Sequence, residues 1–338
     1  MLSADYSFDQ RTNKPSFVEK SCFQSSYFGY GKIILFGEHF VVHGIPAIAA
    51  ALMDLKTYAI IRPYFGEGIL IEDHTMNCNI LIGSTNNHII NRAIQVILKK
   101  LNINWNSETL SILVESNIPL SGGMGSSAAI IVALTRLLSD HFQLGLTKTE
   151  ISRLAYEGEK VFAGTPSGID NSISTLGGLL WYQKRRNQIN HQHIIKPLTI
   201  KRPINIVIGN TGISHDTAEL IQGVYERKVK YPKKYISIFT QARKLVKEAK
   251  LALYNYNLDI LGKLMNKNHQ LLQKIEVSSS ELDKLVDISL NHGAFGAKLT
   301  GGGGGGCMFS LTPNKDVQSN VASAIENAGY QAIKTRIG

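Results

Sequence analysis

Four short stretches of the chain gather residue types able to move a phosphoryl group. In "PLSGGMGSSAAIIVALTRLL" (119–138), Ser121, Gly122, Gly123, Met124 and Gly125 lead into Ser126 and Ser127, which open an apolar helical run. Bare backbone amides at a helix start, together with the positive end of its dipole, form a ready site for phosphate. The pattern is neither a Walker A loop, which ends in Gly-Lys-Ser/Thr, nor a Rossmann fingerprint. In "EGEKVFAGTPSGIDNSIS" (157–174), Glu159 and Asp170 flank a Gly/Pro break. Two acids so placed suit a phosphotransferase, one to hold Mg²⁺ and one to accept a hydroxyl proton. In "GYGKIILFGEHFVVHG" (29–44), Lys32 leads the strand-like "IILF", and Glu38 and His39 follow where the chain must leave it. The fourth stretch, "AKLTGGGGGGCMFSL" (297–311), joins two apolar runs through six consecutive glycines, among them Gly301, Gly302, Gly303 and Gly304. A hairpin closes with two to five loop residues, so this longer glycine run suggests close approach of backbone to a ligand.

Each stretch also has a plainer explanation. A loop that needs positive φ angles uses glycine without binding anything. Helix-terminal carboxylates are ordinarily solvated, and a glycine run can be a flexible connector.

The elements that must carry these residues are legible in the periodicity. Strands are expected near 30–36, 55–63, 69–73, 109–116 and 173–182. Helices are expected over 87–101, over 126–138, and from the capping box "TKTE" at Thr147 through Phe162. Asp170 then sits on a turn before the 173–182 strand. After a basic, Asn-rich interruption at 184–192 comes a strand at 204–209 and a helix-rich stretch from about 216 to 292. Strand, glycine loop, strand, helix and final strand complete the chain. This is an α+β arrangement in two halves.

Composition places the chain among ordinary globular proteins, with 338 residues, 43% hydrophobic and 18% charged. No apolar run approaches the ~20 residues needed to span a bilayer. The polar opening segment has no apolar core of the kind a secretory signal needs, so a cytoplasmic location is expected. Cys22, Cys78 and Cys307 are odd in number and far apart, which argues against a disulfide framework or a zinc site. The formal charge of +10 suits small anionic substrates; its densest parts, 184–202 and 226–244, lack the patterns of nucleic-acid modules and read as solvated faces.

Taken together, the four stretches resemble the motifs of the GHMP kinase superfamily, small-molecule kinases whose acceptors include galactose, homoserine, mevalonate and phosphomevalonate. "PLSGGMGSSAA" is similar to the family's phosphate loop "PxGxGLGSSAA", and "KLTGGGGGGC" to its third motif "KLTGAGGGGC". "GKIILFGEHFVVHG" is similar to the first motif of the branch that acts on mevalonate. The resemblance implies a two-domain fold: a polar lead-in (1–25), a ribosomal-S5-like amino-terminal domain with the phosphate loop (26–195), and a ferredoxin-like α+β carboxyl-terminal domain (196–338).

It also implies roles. Asp170 would be the catalytic base, and Lys32 would depress the acceptor hydroxyl's pKa. The loop from Ser121 through Ser126 would wrap the triphosphate of ATP, and Ser127 and Glu159 would hold Mg²⁺. Glu38, His39 and Thr217 would face the acceptor. The implied reaction is transfer from ATP to the 5-hydroxyl of mevalonate, with another small alcohol such as phosphomevalonate or a sugar as the alternative. A basic binding protein without chemistry is the more distant one. No nucleic acid or membrane partner is expected, and the sequence leaves the oligomeric state open, a homodimer among the possibilities. The chain departs from the family at "GYGK" where "APGK" is usual, at Gly302 where alanine is usual, and at His215 where an arginine often stands.

Overall fold

The computed structural model describes residues 27–119, 122–164, 166–184, 194–213 and 217–338. Its first strand, β1 (Tyr27–Phe36), is followed by the long β2 (Ala47–Arg62), then β3 (Gly68–Asp73), β4 (Cys78–Leu81) and β5 (Thr109–Ser116). The expected 55–63 strand is thus the second half of β2. Its first half, "AIAAALMD", is alanine-rich and does not alternate, because both faces are covered and every residue from Ala47 to Leu52 is buried. Helices α1 (Ile89–Lys100) and α2 (Ser126–His141) pack against this sheet with Ile69, Ile71, Ile112 and Val114 in the shared core, and α3 (Lys148–Ala163) packs on α1 and α2. The predicted capping box at the start of α3 is present: Thr147 accepts from the Glu150 amide, and Glu150 accepts from the Thr147 amide in return.

One stretch differs from the reading of the sequence. Residues 173–182 are not a single strand: α4 (Ile169–Leu176) comes first, and β6 (Leu179–Gln183) follows across Gly177 and Gly178. Asp170 therefore lies in the first turn of α4, capped by Gly168, and not on a turn before a strand. "IDNSIST" is rich in β-branched residues and alternates weakly, so local propensity favoured a strand; burial of Ile169 and Ile173 against α2, β1 and β2 outweighs it. β7 (Ile194–Leu198) pairs with β6.

The second half is built on β8 (Ile204–Asn210), β9 (Gly296–Leu299), β10 (Cys307–Leu311) and β11 (Gln331–Ile337), paired antiparallel in the order β11-β8-β10-β9. Helices α5 (Thr217–Lys230), α6 (Pro232–Tyr254), α7 (Leu258–Lys274), α8 (Ser280–Asn291) and α9 (Lys315–Asn327) belong to this half. The two sheets meet where Ile337 of β11 pairs with Leu52 of β2, and one large core of β1, β2, β8–β10 and α6–α9 runs through the junction. At the approach of α7 to β9, a Cβ on Gly262 would stand 2.3 Å from the Phe295 carbonyl oxygen. That close approach brings Asn268 of α7 and Lys298 of β9 to the end of β1. Cys78 and Cys307 are free thiols, and Cys22 lies outside the described residues. Among the described residues, no helix is long and apolar enough to cross a membrane.

Candidate active site

β1 delivers Lys32 to the foot of α2. Its backbone N–H donates to the Met124 carbonyl at 2.9 Å, and its Nζ donates to the Gly123 carbonyl at 3.0 Å. The phosphate loop is thereby hung on one residue by two bonds. Gly125, the N-cap of α2, has φ +74°, and a Cβ there would press to 3.0 Å from the Lys32 stem. With a glycine cap there is no side-chain acceptor, so the first-turn amides at Ser126 and Ser127 keep no intrahelical partner. Met124 contributes only backbone here, because its side chain is buried in the core. Ser121 lies outside the described residues.

The same Lys32 ammonium reaches Asp170 Oδ1 at 3.1 Å, with the lysine side chain 6% exposed and the aspartate 31%. The carboxylate also sits in the first turn of α4, where the helix dipole favours negative charge. A partly open acid, a sheltered cation and a set of bare amides thus share one corner.

Glu159, near the end of α3, is buried and not solvated as its helix-terminal place suggests. Burial first and the neighbouring Asp170 second push its carboxyl up, Lys32 opposes both, and the net is about 8. Its Oε2 is buried with no hydrogen-bond partner. An orphaned carboxylate oxygen beside a phosphate cradle fits a hard divalent cation, which takes few protein ligands and completes its shell with phosphates and water. No cluster of three or more His, Cys, Asp or Glu gathers among the described residues.

The pH consequence follows from the shift. Unfolded, this carboxyl titrates near its ordinary 4.5; folded, near 8. Between the two, the folded chain keeps a proton the unfolded chain has lost. The contribution of Glu159 to stability is therefore full below about 4.5 and drains as pH rises to about 8, by at most about 1.4 kcal/mol per pH unit. Urea titrations of metal-free protein should show Glu159→Gln gaining on the wild type from pH 5 to 8 and no further above it. A constant difference across that range would show that Glu159 is not held protonated.

The turn after β1 carries the remaining residues. Gly37 has φ +99° with a notional Cβ 2.6 Å from the Pro46 carbonyl oxygen, so only glycine fits. His39 follows in the left-handed region, φ +57°. It is buried, and its Nε2 lies 2.8 Å from the Gly302 carbonyl, to which it donates; burial lowers its pKa and keeps the ring neutral. Nδ1 is buried and has no partner. Thr217, first residue of α5, stands against Gly302 from the other side: a Cβ on Gly302 would meet Thr217 Oγ1 at 2.2 Å. The missing methyl at 302 is thus the space that Thr217 occupies. His215 lies outside the described residues.

The glycine run closes the arrangement. Gly301 approaches Gly123 of the phosphate loop, its notional Cβ 3.5 Å from the Gly123 carbonyl oxygen. Gly303 packs on the Val277 carbonyl, and the Gly304 amide donates to that carbonyl at 2.9 Å. The run is a fastened loop, and the Gly304 amide is already committed.

Glu38 departs from the acceptor side implied by resemblance. It is 1% exposed and ion-paired to Lys298, with Asn268 Nδ2 donating to its Oε2 at 3.3 Å. Lys298 and Asn268 were not singled out by the sequence. The available signal was a lysine inside the apolar "GAFGAKL", which needs a counter-charge if that segment is buried. A cavity of about 640 Å³ opens elsewhere, among Tyr27, Arg136, Asp140 and Lys148 at the carboxyl-terminal half of α2. None of the residues above lines it, and chemistry rather than volume locates the site.

Comparison with known proteins bears on all of this. Residues 88–178 match the family described as GHMP kinases N terminal domain, and residues 249–331 match GHMP kinases C terminal. The chain is 37% identical to a mevalonate kinase of Pyrococcus abyssi, covering 90% of this chain and 93% of that protein. It is 38% identical to one of Thermococcus onnurineus, covering 90% and 94%. Among solved structures it is similar to L. major mevalonate kinase in complex with R-mevalonate, with TM-score 0.83 and 31% identity over 93% of this chain and 96% of that one.

Proposed function

The chain belongs to the GHMP kinase family, and from that premise we propose that it transfers the terminal phosphoryl group of ATP to the 5-hydroxyl of mevalonate, giving 5-phosphomevalonate and ADP. One observation carries the reading most: the Lys32–Asp170 pair at 3.1 Å, set against the loop that opens α2.

Phosphoryl transfer asks chiefly for positioning and for compensation of charge on the phosphoryl oxygens. The first-turn amides of α2 bind the phosphates. Lys32 sits between phosphate loop and acid, so one ammonium neutralises charge on the transferred group and on the acceptor oxygen as it loses its proton. Asp170 takes that proton. Glu159 and Ser127 are the residues that would hold Mg²⁺, which when bound offsets charge on the phosphates. On the acceptor side, His39, Thr217 and the Gly302 backbone orient the alcohol. The free Cys78 and Cys307 accord with a reducing cytoplasmic setting.

The deciding experiment is ADP release with ATP and Mg²⁺ across a panel of acceptors. Mevalonate is expected to give the highest kcat/KM, by about tenfold or more over phosphomevalonate and galactose. Silence with mevalonate beside a clear signal from another alcohol would overturn the substrate assignment. Salt-sensitive binding of RNA without any turnover would overturn the enzyme.

A further inference from the structure

We propose that Lys298 is a positioning residue for the acceptor side, acting through Glu38 to fix the turn that presents the free ring nitrogen of His39. The proposal rests on the reading that this site phosphorylates an alcohol.

The segment that precedes the glycine run clamps the end of β1 at three alternate residues, 298, 300 and 302. Lys298 Nζ donates to Glu38 Oε1 and to the carbonyls of Leu299 and Ile34, the last at 3.4 Å. Three donors meet three acceptors, and both charged side chains are 0% exposed. Thr300 Oγ1 accepts from the Ile34 amide at 2.9 Å and donates to the Ile34 carbonyl at 3.2 Å. The Gly302 carbonyl takes the His39 Nε2 proton. The first and third clamps act on neighbouring residues, Glu38 and His39, in a turn that holds His39 at positive φ.

Two consequences follow. Glu38 cannot touch a substrate without abandoning a fully enclosed pair. The hydrogen bond at Nε2 fixes the His39 tautomer, so Nδ1 is left as an acceptor, and that bond is only as well placed as the turn that Lys298 holds. A buried ion pair is a poor source of net stability, since apolar residues of similar volume often serve as well or better. What it provides is register, between a strand of one half and the loop that covers the site from the other.

The test compares Glu38→Leu/Lys298→Met, in which both buried charges leave together, with Glu38→Gln. In the latter the amide still accepts from Lys298, and its NH₂ can reach the unpartnered Asn268 Oδ1 once the Asn268 amide turns. Three quantities are read: melting temperature, KM for acceptor against KM for ATP, and the imidazole NMR signals of His39, assigned against His39→Asn. The double variant is expected to melt within a few degrees of the wild type, with acceptor KM raised about tenfold or more and ATP KM within about threefold. Its His39 signals should show mixed tautomers in place of one. Glu38→Gln should lie between the wild type and the double variant in acceptor KM and in its His39 signals. A double variant with native acceptor KM and unchanged His39 signals would overturn the proposal. Should it fail to fold, Glu38→Gln decides: a raised acceptor KM with shifted His39 signals supports the claim, and both unchanged refutes it. If the wild type turns over no alcohol, the functional reading fails separately, and the His39 spectrum still decides the positioning claim.

Discussion

Replacing Asp170 by Asn should cost about 10²- to 10⁴-fold in turnover while ATP still binds within a few-fold of the wild type. The amide keeps the shape of the carboxylate and can still accept a bond from Lys32, so the loss isolates proton acceptance. ATP should be nearly indifferent, because its proposed contacts are the first-turn amides of α2 and Lys32, none of which is supplied by Asp170. The carboxylate is partly open, 31% exposed, as a group that must meet an incoming hydroxyl has to be. Glu159, more deeply buried beside it, should not take over, since that carboxyl is closed off from an incoming hydroxyl and is the group that would hold Mg²⁺. The check is single-turnover phosphorylation beside an ATP binding isotherm. Near-normal turnover would remove Asp170 from the role.

Lys32→Met should do damage of two kinds, because two functions leave with one ammonium. Methionine fills most of the volume of the buried stem, so the fold should survive. The bond from Nζ to the Gly123 carbonyl is lost, however, and with it the side-chain fastening of the phosphate loop. The cation between Asp170 and the phosphates is lost as well, leaving Asp170 and Glu159 adjacent without compensation. Removal of one such preorganised group costs about 10²- to 10³-fold in kcat, and loosening of the loop adds weaker ATP binding to it. Lys32→Met should thus lower kcat and raise KM for ATP together, where Asp170→Asn lowers kcat alone. Arginine should not rescue, since its planar fork cannot place one compact charge between the Gly123 carbonyl and Asp170 as the ammonium does. A variant that loses kcat with ATP binding intact would refute the account of Lys32 as the support of the loop.

Much of this site was legible because its parts are local in sequence. The glycine–serine run before an apolar helix announces bare amides, and Gly125 and Ser126 stand where that pattern puts them. The capping box at Thr147 is a three-residue signal and is present as read. What was hidden depends on contacts between distant segments. Nothing near Glu38 announces Lys298, 260 residues away, and the resemblance suggested a ligand contact where the structure has an enclosed ion pair. The space at Gly302 acquires its meaning only when Thr217, far off in the chain, is seen to fill it. Helix α4 was hidden for a different reason: its β-branched residues favour a strand locally, and only packing against α2 and β1 makes it a helix. The first half of β2 was hidden by its alanines, which alternate with nothing because both faces are buried.

The proposed mechanism requires the terminal phosphate of ATP to lie at the start of α2, beside Lys32 and Asp170. A crystal structure with a non-hydrolysable ATP analogue, Mg²⁺ and mevalonate tests this most directly. The terminal phosphorus should lie against the amides of Ser126 and Ser127 and the Lys32 ammonium, with the 5-hydroxyl about 2.6–3.2 Å from the Asp170 carboxylate. A triphosphate bound away from the start of α2, or an acceptor hydroxyl beyond reach of Asp170, would contradict it.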